Sequence, residues 1–327
     1  MSRTPFRIGT RGSALATTQT GHVAAELAEL TVGSAIDFET ILVKTEGDVT
    51  SGPLSQLGGT GVFAAALRQS LLEGQCDLAV HSLKDLPTTQ PAGLVIAATP
   101  KRADVRDALC ARDGLFLAEL PEGASVGTGS PRRAAQLLAF RPDLTIVDIR
   151  GNVGTRLGRV KGSPIQQDDG GVGRTAQGDL DAVILAAAGL ERLGFEAHIT
   201  EYLDPDIMLP APGQGSLAVE IREAGSSRTE VDAALERLDD HGTRLAITAE
   251  RALLARLEAG CAAPIGALAH VVEDTLVLEA VACAQDGSDT MRRTASTREL
   301  TVEGATALGV TLAEQLIREG AAELAGL

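Results

Sequence analysis

The sequence predicts an α/β fold with mainly parallel strands, followed after about residue 228 by a smaller α+β unit with an antiparallel sheet. Three observations lead there. Short apolar, β-branched runs alternate with helical stretches as far as Arg222. Several of those helices carry start signals, a Ser or Thr cap or a Pro in the first turn as in "GSPRRAAQLLAF". Beyond residue 228 the alternation stops, and two consecutive helical stretches precede three β-like runs and a final helix.

Taken in order, "FRIG" reads as the first strand and Ser13 to Leu30 as a helix capped by Ser13. "IDFETILVK" follows as a strand, Val62 to Glu73 as a helix, and "DLAVHS" and "LVIAAT" as two more strands. "ALCAR", "TIVDIR", "AVILAAA" and "LAVEIR" continue the strand series. Helices at Pro131 to Phe140, Val153 to Val160 and Gly189 to Gly194 lie between them. The stretch "KGSPIQQDDGGVGRTAQGD" has no apolar period and predicts a mobile surface loop. In the last unit, Glu230 to Asp239 and Thr243 to Ala259 are helical, "IGALAHVV", "TLVLEAVACA" and "TMRRTAST" are strands, and Val302 to Ala325 is one amphipathic helix.

Composition narrows the function. The net charge of −15 repels nucleic acid and anionic membrane, and an aromatic content of 2% without Trp leaves no base-stacking platform. The N-terminus has no apolar signal region and no stretch is long enough to span a bilayer, so a cytoplasmic protein is expected. Four scattered cysteines exclude a disulfide framework, and the histidines have no metal-ligand spacing, so no metal is expected. Cys76, Cys110 and Cys283 read as small, inert core residues. Cys261 follows Gly260 at the end of a helix and by itself stays open between a small buried residue and an exposed thiol.

Within this acidic chain, residues 101–160 carry ten Lys and Arg against seven acids, which points to a small anionic ligand. Ligands of α/β sheets bind beyond the carboxyl ends of strands, at helix N-termini. "IGTRGSALA" places Arg11 and Ser13 at such a point, "TGSPRRAAQ" places Thr128, Ser130, Arg132 and Arg133, and "DIRGNVGTRLGRV" places Arg150 and Arg156. Paired cations at a helix N-terminus oppose its dipole, a local cost that an anionic ligand could offset. "DLAVHSLKDLPT" delivers His81, Ser82, Lys84 and Asp85 to a strand end, where a lysine and a carboxylate can bind an anion and move a proton.

In order along the chain, "GTRGSALA", "VKTEGD", "GTGVFAAAL", "DLAVHSLKDLPT", "GTGSPRR", "DIRGNVGTRL", "LAAAGLERLG", "LPAPGQG" and "ERALLARLEAGCAAPIGALA" resemble the hydroxymethylbilane synthase family, also called porphobilinogen deaminases. The resemblance implies two α/β domains like those of periplasmic solute-binding proteins, flanking a cleft, plus a small C-terminal α+β domain. Domain 1 would take residues 1–100 and 216–235, domain 2 residues 101–215, and domain 3 residues 236–327.

It further implies a transferase of tetrapyrrole biosynthesis that joins four porphobilinogens head to tail with loss of ammonia and releases linear hydroxymethylbilane. By the same resemblance, Cys261 carries the covalent dipyrromethane primer and Asp85 is the catalytic carboxylate. Arg11, Ser13, Ser82, Lys84, Thr128, Ser130, Arg132, Arg133, Arg150, Arg156, Arg192 and Gln214 would hold the ring carboxylates. A monomer that passes its product to uroporphyrinogen-III synthase is implied as well. The sequence departs from the family at Gly59-Thr60-Gly61, which lacks the usual lysine, and at Ala65-Ala66, which replace a charged pair. A non-catalytic anion-binding module would share the cleft, but it leaves Lys84, Asp85 and Cys261 without a use.

Overall fold

The computed structural model describes residues 5–34, 36–43, 61–165, 178–226, 228–260 and 263–327. The segment predicted as a mobile loop falls largely outside these residues. So do Cys261, residues 44–48 of "VKTEGD" and Gly59-Thr60 of the glycine motif.

The first unit contains β1 (Phe6–Thr10), α1 (Ala14–Leu30), β2 (Phe38–Leu42), α2 (Gly61–Leu72), β3 (Leu78–Ser82) and β4 (Leu94–Ala98). The chain then enters a second unit with β5 (Asp107–Ala111), β6 (Ser125–Gly127), α3 (Pro131–Phe140), β7 (Thr145–Val147), α4 (Val153–Leu157), β8 (Ala182–Ala186), α5 (Ala187–Arg192) and β9 (Glu201–Tyr202). It returns as β10 (Leu217–Arg222) and α6 (Thr229–Leu238). The C-terminal unit holds α7 (His241–Arg256), β11 (Ile265–Val272), β12 (Thr275–Cys283), β13 (Thr290–Thr297), α8 (Val302–Arg318) and α9 (Ala321–Ala325).

Strand orders are β2-β1-β3-β10-β4 and β7-β6-β8-β5-β9, with β11-β12-β13 as a separate antiparallel sheet. The expectation of mainly parallel strands holds, since four of the five strands in each of the first two sheets run the same way. β1 runs parallel to β2 and β3, and β6 to β7 and β8. However, β10 lies antiparallel between β3 and β4, and β5 antiparallel between β8 and β9. Both exceptions are strands that follow a crossing between units. They enter their sheets from the opposite end to strands fed by a local helix, so crossover handedness does not set their direction.

Apolar residues of β1, β3, β10, α1 and α6 form one core, with Phe6, Ile8, Val23, Leu27 and Leu78 almost fully excluded from water. In the second unit the sheet is buried on both faces, around Leu109, Val126 and Ile184 on one side and Val183, Leu185 and Ile149 on the other. The C-terminal sheet packs one face on α7 and α8, through Leu245, Leu253, Leu278, Leu312 and Leu316. The last helix expected as one piece is two: Gly320 adopts φ 93°, left-handed backbone that stops α8 and starts α9.

A candidate anion-binding active site

The carboxyl ends of β1 and β3 open into a cavity of about 70 Å³ lined by Arg11, Ser13, Gln19, His81, Ser82 and Asp85, among others. Sequence dictates this locally: β1 ends at Thr10, and Ser13 then caps α1 by accepting the Ala16 N–H at 3.3 Å. β3 ends at Ser82, and a single 3₁₀ turn, Leu83–Asp85, leaves Asp85 exposed at its tip while Leu83 is buried beneath. The Ser82 hydroxyl donates to Gln19 Oε1 at 3.0 Å, which orients an amide on the cavity wall.

His81 and Glu220 form the buried base of this wall, with His81 Nε2 and Glu220 Oε2 3.3 Å apart. Glu220 lies in β10 and also accepts from Arg68 Nη2 at 2.9 Å and Gln90 Nε2 at 2.6 Å. Burial pushes its carboxyl up, but His81 and Arg68 outweigh that and bring it to about 2.

A second group converges from the other unit. Gln214 is fully buried between Gly213 (φ 75°) and Gly215 (φ 85°), and a Cβ on Gly215 would lie 2.7 Å from the Ala103 carbonyl oxygen. These glycines let "PGQG" wrap against the segment crossing the other way. Gln214 Oε1 accepts from Lys84 Nζ at 3.2 Å, while its Nε2 donates to Val105 O and to Asp107 Oδ1, both at 2.9 Å. Asp107, wholly buried at the start of β5, accepts Arg133 Nη2 at 2.7 Å on Oδ1 and pairs with Arg132 Nη2 at 2.8 Å on Oδ2.

The cost of two cations at the start of α3 is thus met by Asp107 and by the carbonyls of Leu209 and Ile184, not left for an anionic ligand to offset. Burial would push the Asp107 carboxyl up, yet Arg132 and Arg133 hold it far below the usual range. Burial and Arg133 lower Lys84 to about 8, against the pull of Asp85 and Asp107. Burial and Arg133 also lower Arg156 to about 10, opposed by Asp148 and Asp85. Positive charge is therefore crowded into a partly dehydrated space.

Arg156 donates from Nε to the Gly151 carbonyl at 2.8 Å, and Asn152 caps its short helix. Arg150 is exposed, 3.9 Å from Asp148. Arg192, lowered by burial, donates to the Gly215 carbonyl at 2.8 Å. Thr128 is buried and its Oγ1 accepts the Ser130 N–H at 3.2 Å, while the Ser130 side chain makes no capping bond to α3.

Arg11, Ser13, Ser82 and Asp85 are thus gathered at one cavity, and Lys84, Gln214, Arg132 and Arg133 in one network. Arg156 is within electrostatic reach of Asp85, Arg133 and Arg150, and Arg150 itself is exposed. Participants missed from sequence include Gln19, Asp107 and Glu220. Gln19 lies one turn beyond Leu15 and Ala16 on the cavity face of α1, a spacing that helical periodicity makes legible. Asp107 and Glu220 could not be placed that way, because their partners Arg132 and Arg68 are distant in the chain.

The C-terminal unit is tied to the site by Glu250 of α7, which is fully buried. Its carboxylate accepts from Arg102 Nη1 at 2.6 Å and Nη2 at 3.0 Å, from the Gly213 N–H at 2.6 Å and from the Ala269 N–H at 2.8 Å. Among the described residues, no group of His, Cys, Asp and Glu could hold a metal ion, and no helix is long and apolar enough to cross a membrane.

Comparison with known proteins adds the family. Residues 6–230 match the profile described as porphobilinogen deaminase, dipyromethane cofactor binding domain, and residues 244–318 match porphobilinogen deaminase, C-terminal domain. Curated relatives named porphobilinogen deaminase include one from Micrococcus luteus, 55% identical over 98% of this chain and 95% of its own length. Another, from Cutibacterium acnes, is 55% identical over 98% of this chain and 97% of its own. A solved extracytoplasmic solute receptor of Bordetella pertussis is similar at 11% identity and a TM-score of 0.38, over 72% of this chain and 77% of that one.

Proposed function

The chain belongs to the porphobilinogen deaminase family, and from that premise we propose how its residues divide the work. The activity is that of the family: a transferase of tetrapyrrole biosynthesis that joins four porphobilinogens head to tail with loss of ammonia, on a dipyrromethane primer, and releases linear hydroxymethylbilane by hydrolysis. The primer, when bound, supplies the nucleophilic pyrrole carbon on which the chain grows.

The residues present fit a polyanionic group. Lys84 and Arg156 are both pushed below their ordinary values, first by burial and then by Arg133, so two cations stand in partly dehydrated surroundings that an anionic group would favour. Each pyrrole ring brings an acetate and a propionate, and carboxylates suit arginine forks. Cys261 is assigned as the attachment point by the family's matching position, although it lies outside the described residues.

Asp85 is assigned the chemical step. It is the exposed carboxylate of the cavity that Arg11, Ser13 and Ser82 share, one residue from Lys84, and that placement carries the reading. As ammonia departs from porphobilinogen, positive charge develops on the pyrrole beside this carboxylate. Asp85 then steadies the electrophilic methylene-pyrrole that forms and takes the proton lost from the attacking ring carbon. Arg11, Lys84, Arg150, Arg156 and Arg192 hold carboxylates electrostatically, while Ser13, Ser82, Thr128, Ser130 and Gln214 add neutral hydrogen bonds. Arg132 and Arg133 act from behind, their charge spread over Asp107.

The three sheets support a division into residues 1–100 with 216–235, residues 101–215 and residues 236–327 as three domains. A cytoplasmic monomer that hands its product to uroporphyrinogen-III synthase completes the reading. The test is turnover of the holoenzyme with Asp85→Glu and Asp85→Asn. The first should retain some activity, because a carboxylate remains, and the second almost none; equal activities would remove Asp85 from this role.

A further inference from the structure

The backbone beyond Asp85 has few partners of its own. Leu86 N–H closes the turn onto the Leu83 carbonyl at 3.0 Å, and Pro87 has no N–H to give. Among the described residues, 87–90 form no backbone–backbone hydrogen bond. Side chains hold the segment instead. Gln90 Nε2 reaches Glu220 and the Leu94 carbonyl, and the guanidinium of Arg251 donates to three successive carbonyls, Leu86 at 3.2 Å, Pro87 at 2.7 Å and Thr88 at 3.2 Å.

Arg251 belongs to α7, the helix that leads toward Cys261. One turn earlier on that helix, Ile247 is buried against Leu83 and Leu86 of the same turn. Among the described residues Arg251 forms no ion pair, and burial together with Arg68 lowers its guanidinium to about 10, against the pull of Glu220. A cation taken from water and spent wholly on carbonyls is costly, and what it gains in return is direction: a planar fork fixes the planes of the peptides it grips.

We propose that Arg251 is a positioning residue for the reaction, its grip on the 86–88 carbonyls setting the angle at which the preceding turn presents Asp85. The inference rests on the reading of Asp85 given above. The C-terminal unit then holds both sides of the site through adjacent residues, Arg251 on the catalytic turn and Glu250 on Gly213 beside Gln214. A shift of about 1 Å in a reacting group can cost on the order of a hundredfold in rate without a matching loss of binding.

The test uses primer-loaded enzyme. Arg251→Gln should keep the covalent primer by intact mass and lose roughly tenfold or more in kcat with KM within about twofold, and Arg251→Lys should restore part of the loss. In an Asp85→Glu background, where the reacting carboxylate is already displaced, the same substitution should cost less than about threefold. If Arg251→Gln fails to fold, Arg251→Lys carries the comparison, with a smaller kcat loss that again depends on Asp85. Equal losses in both backgrounds, a change confined to KM, or full activity of both variants would overturn the proposal. If Asp85→Glu and Asp85→Asn turn over alike, the reading of Asp85 itself fails, whereas an additive cycle with those two variants distinct sinks only the role of Arg251.

Discussion

Replacing Asp107 with Asn removes one negative charge from a site that water does not reach. Asp107 is fully buried, and it is the carboxylate on which both Arg132 and Arg133 close, at 2.8 and 2.7 Å. An amide can still accept on one oxygen, but it leaves two buried guanidinium groups with no counter-charge. Removing one partner of a buried pair costs about 3–5 kcal/mol, a large share of a typical stability of about 5–15 kcal/mol. A melting temperature lower by on the order of 10 °C follows.

The loss should depend on pH in a definite sense. The folded-state value of Asp107 is depressed below that of an unfolded aspartate, about 3.9, so its contribution is complete above that value and disappears as pH falls through the lower folded one. The gap between wild type and Asp107→Asn should be widest near neutrality and should narrow in strong acid. Denaturant unfolding of both proteins from pH 8 down to about pH 2 reads it. A gap under about 1 kcal/mol at pH 7 would show that the arginines need no counter-ion and refute the reasoning.

Two further outcomes concern the site directly. Because Lys84 is lowered to about 8, its charge fades as pH rises through that value, and affinity for an anionic substrate should fall. The KM should climb by up to about tenfold per pH unit above it, and Lys84→Arg should flatten the rise; a wild-type KM constant from pH 7 to 9 would contradict this. Gly215→Ala forces a Cβ to 2.7 Å from the Ala103 carbonyl at φ 85°, a strain of about 1–3 kcal/mol, whereas Gly12→Ala meets nothing within 4 Å. Melting temperatures that fall equally for both would deny the tight crossing at Gln214.

How much of this was legible beforehand varies with the range of the interaction involved. The Ser13 cap, the Pro at the start of α3 and the strand that carries Ser82 at its carboxyl end are local, and the sequence patterns alone place them. Strand direction at β5 and β10 was not legible, since it follows from two crossings between units and not from any property of "ALCAR" or "LAVEIR". The pairing of Arg132 and Arg133 was read as open to a ligand because the carboxylate that meets them stands on another strand. The break at Gly320 was passed over because apolar spacing continues across it. A single left-handed residue changes the helix axis without disturbing that spacing.

The role proposed for Cys261 is the account's central claim and that residue lies outside the described ones, so the most direct measurement is chemical. Intact-mass spectrometry of the purified wild-type chain and of Cys261→Ala, each with turnover measured, should show the added mass of one dipyrromethane on the wild type, and neither adduct nor turnover for the variant. A wild-type chain that carries no adduct and still converts porphobilinogen would contradict the assignment.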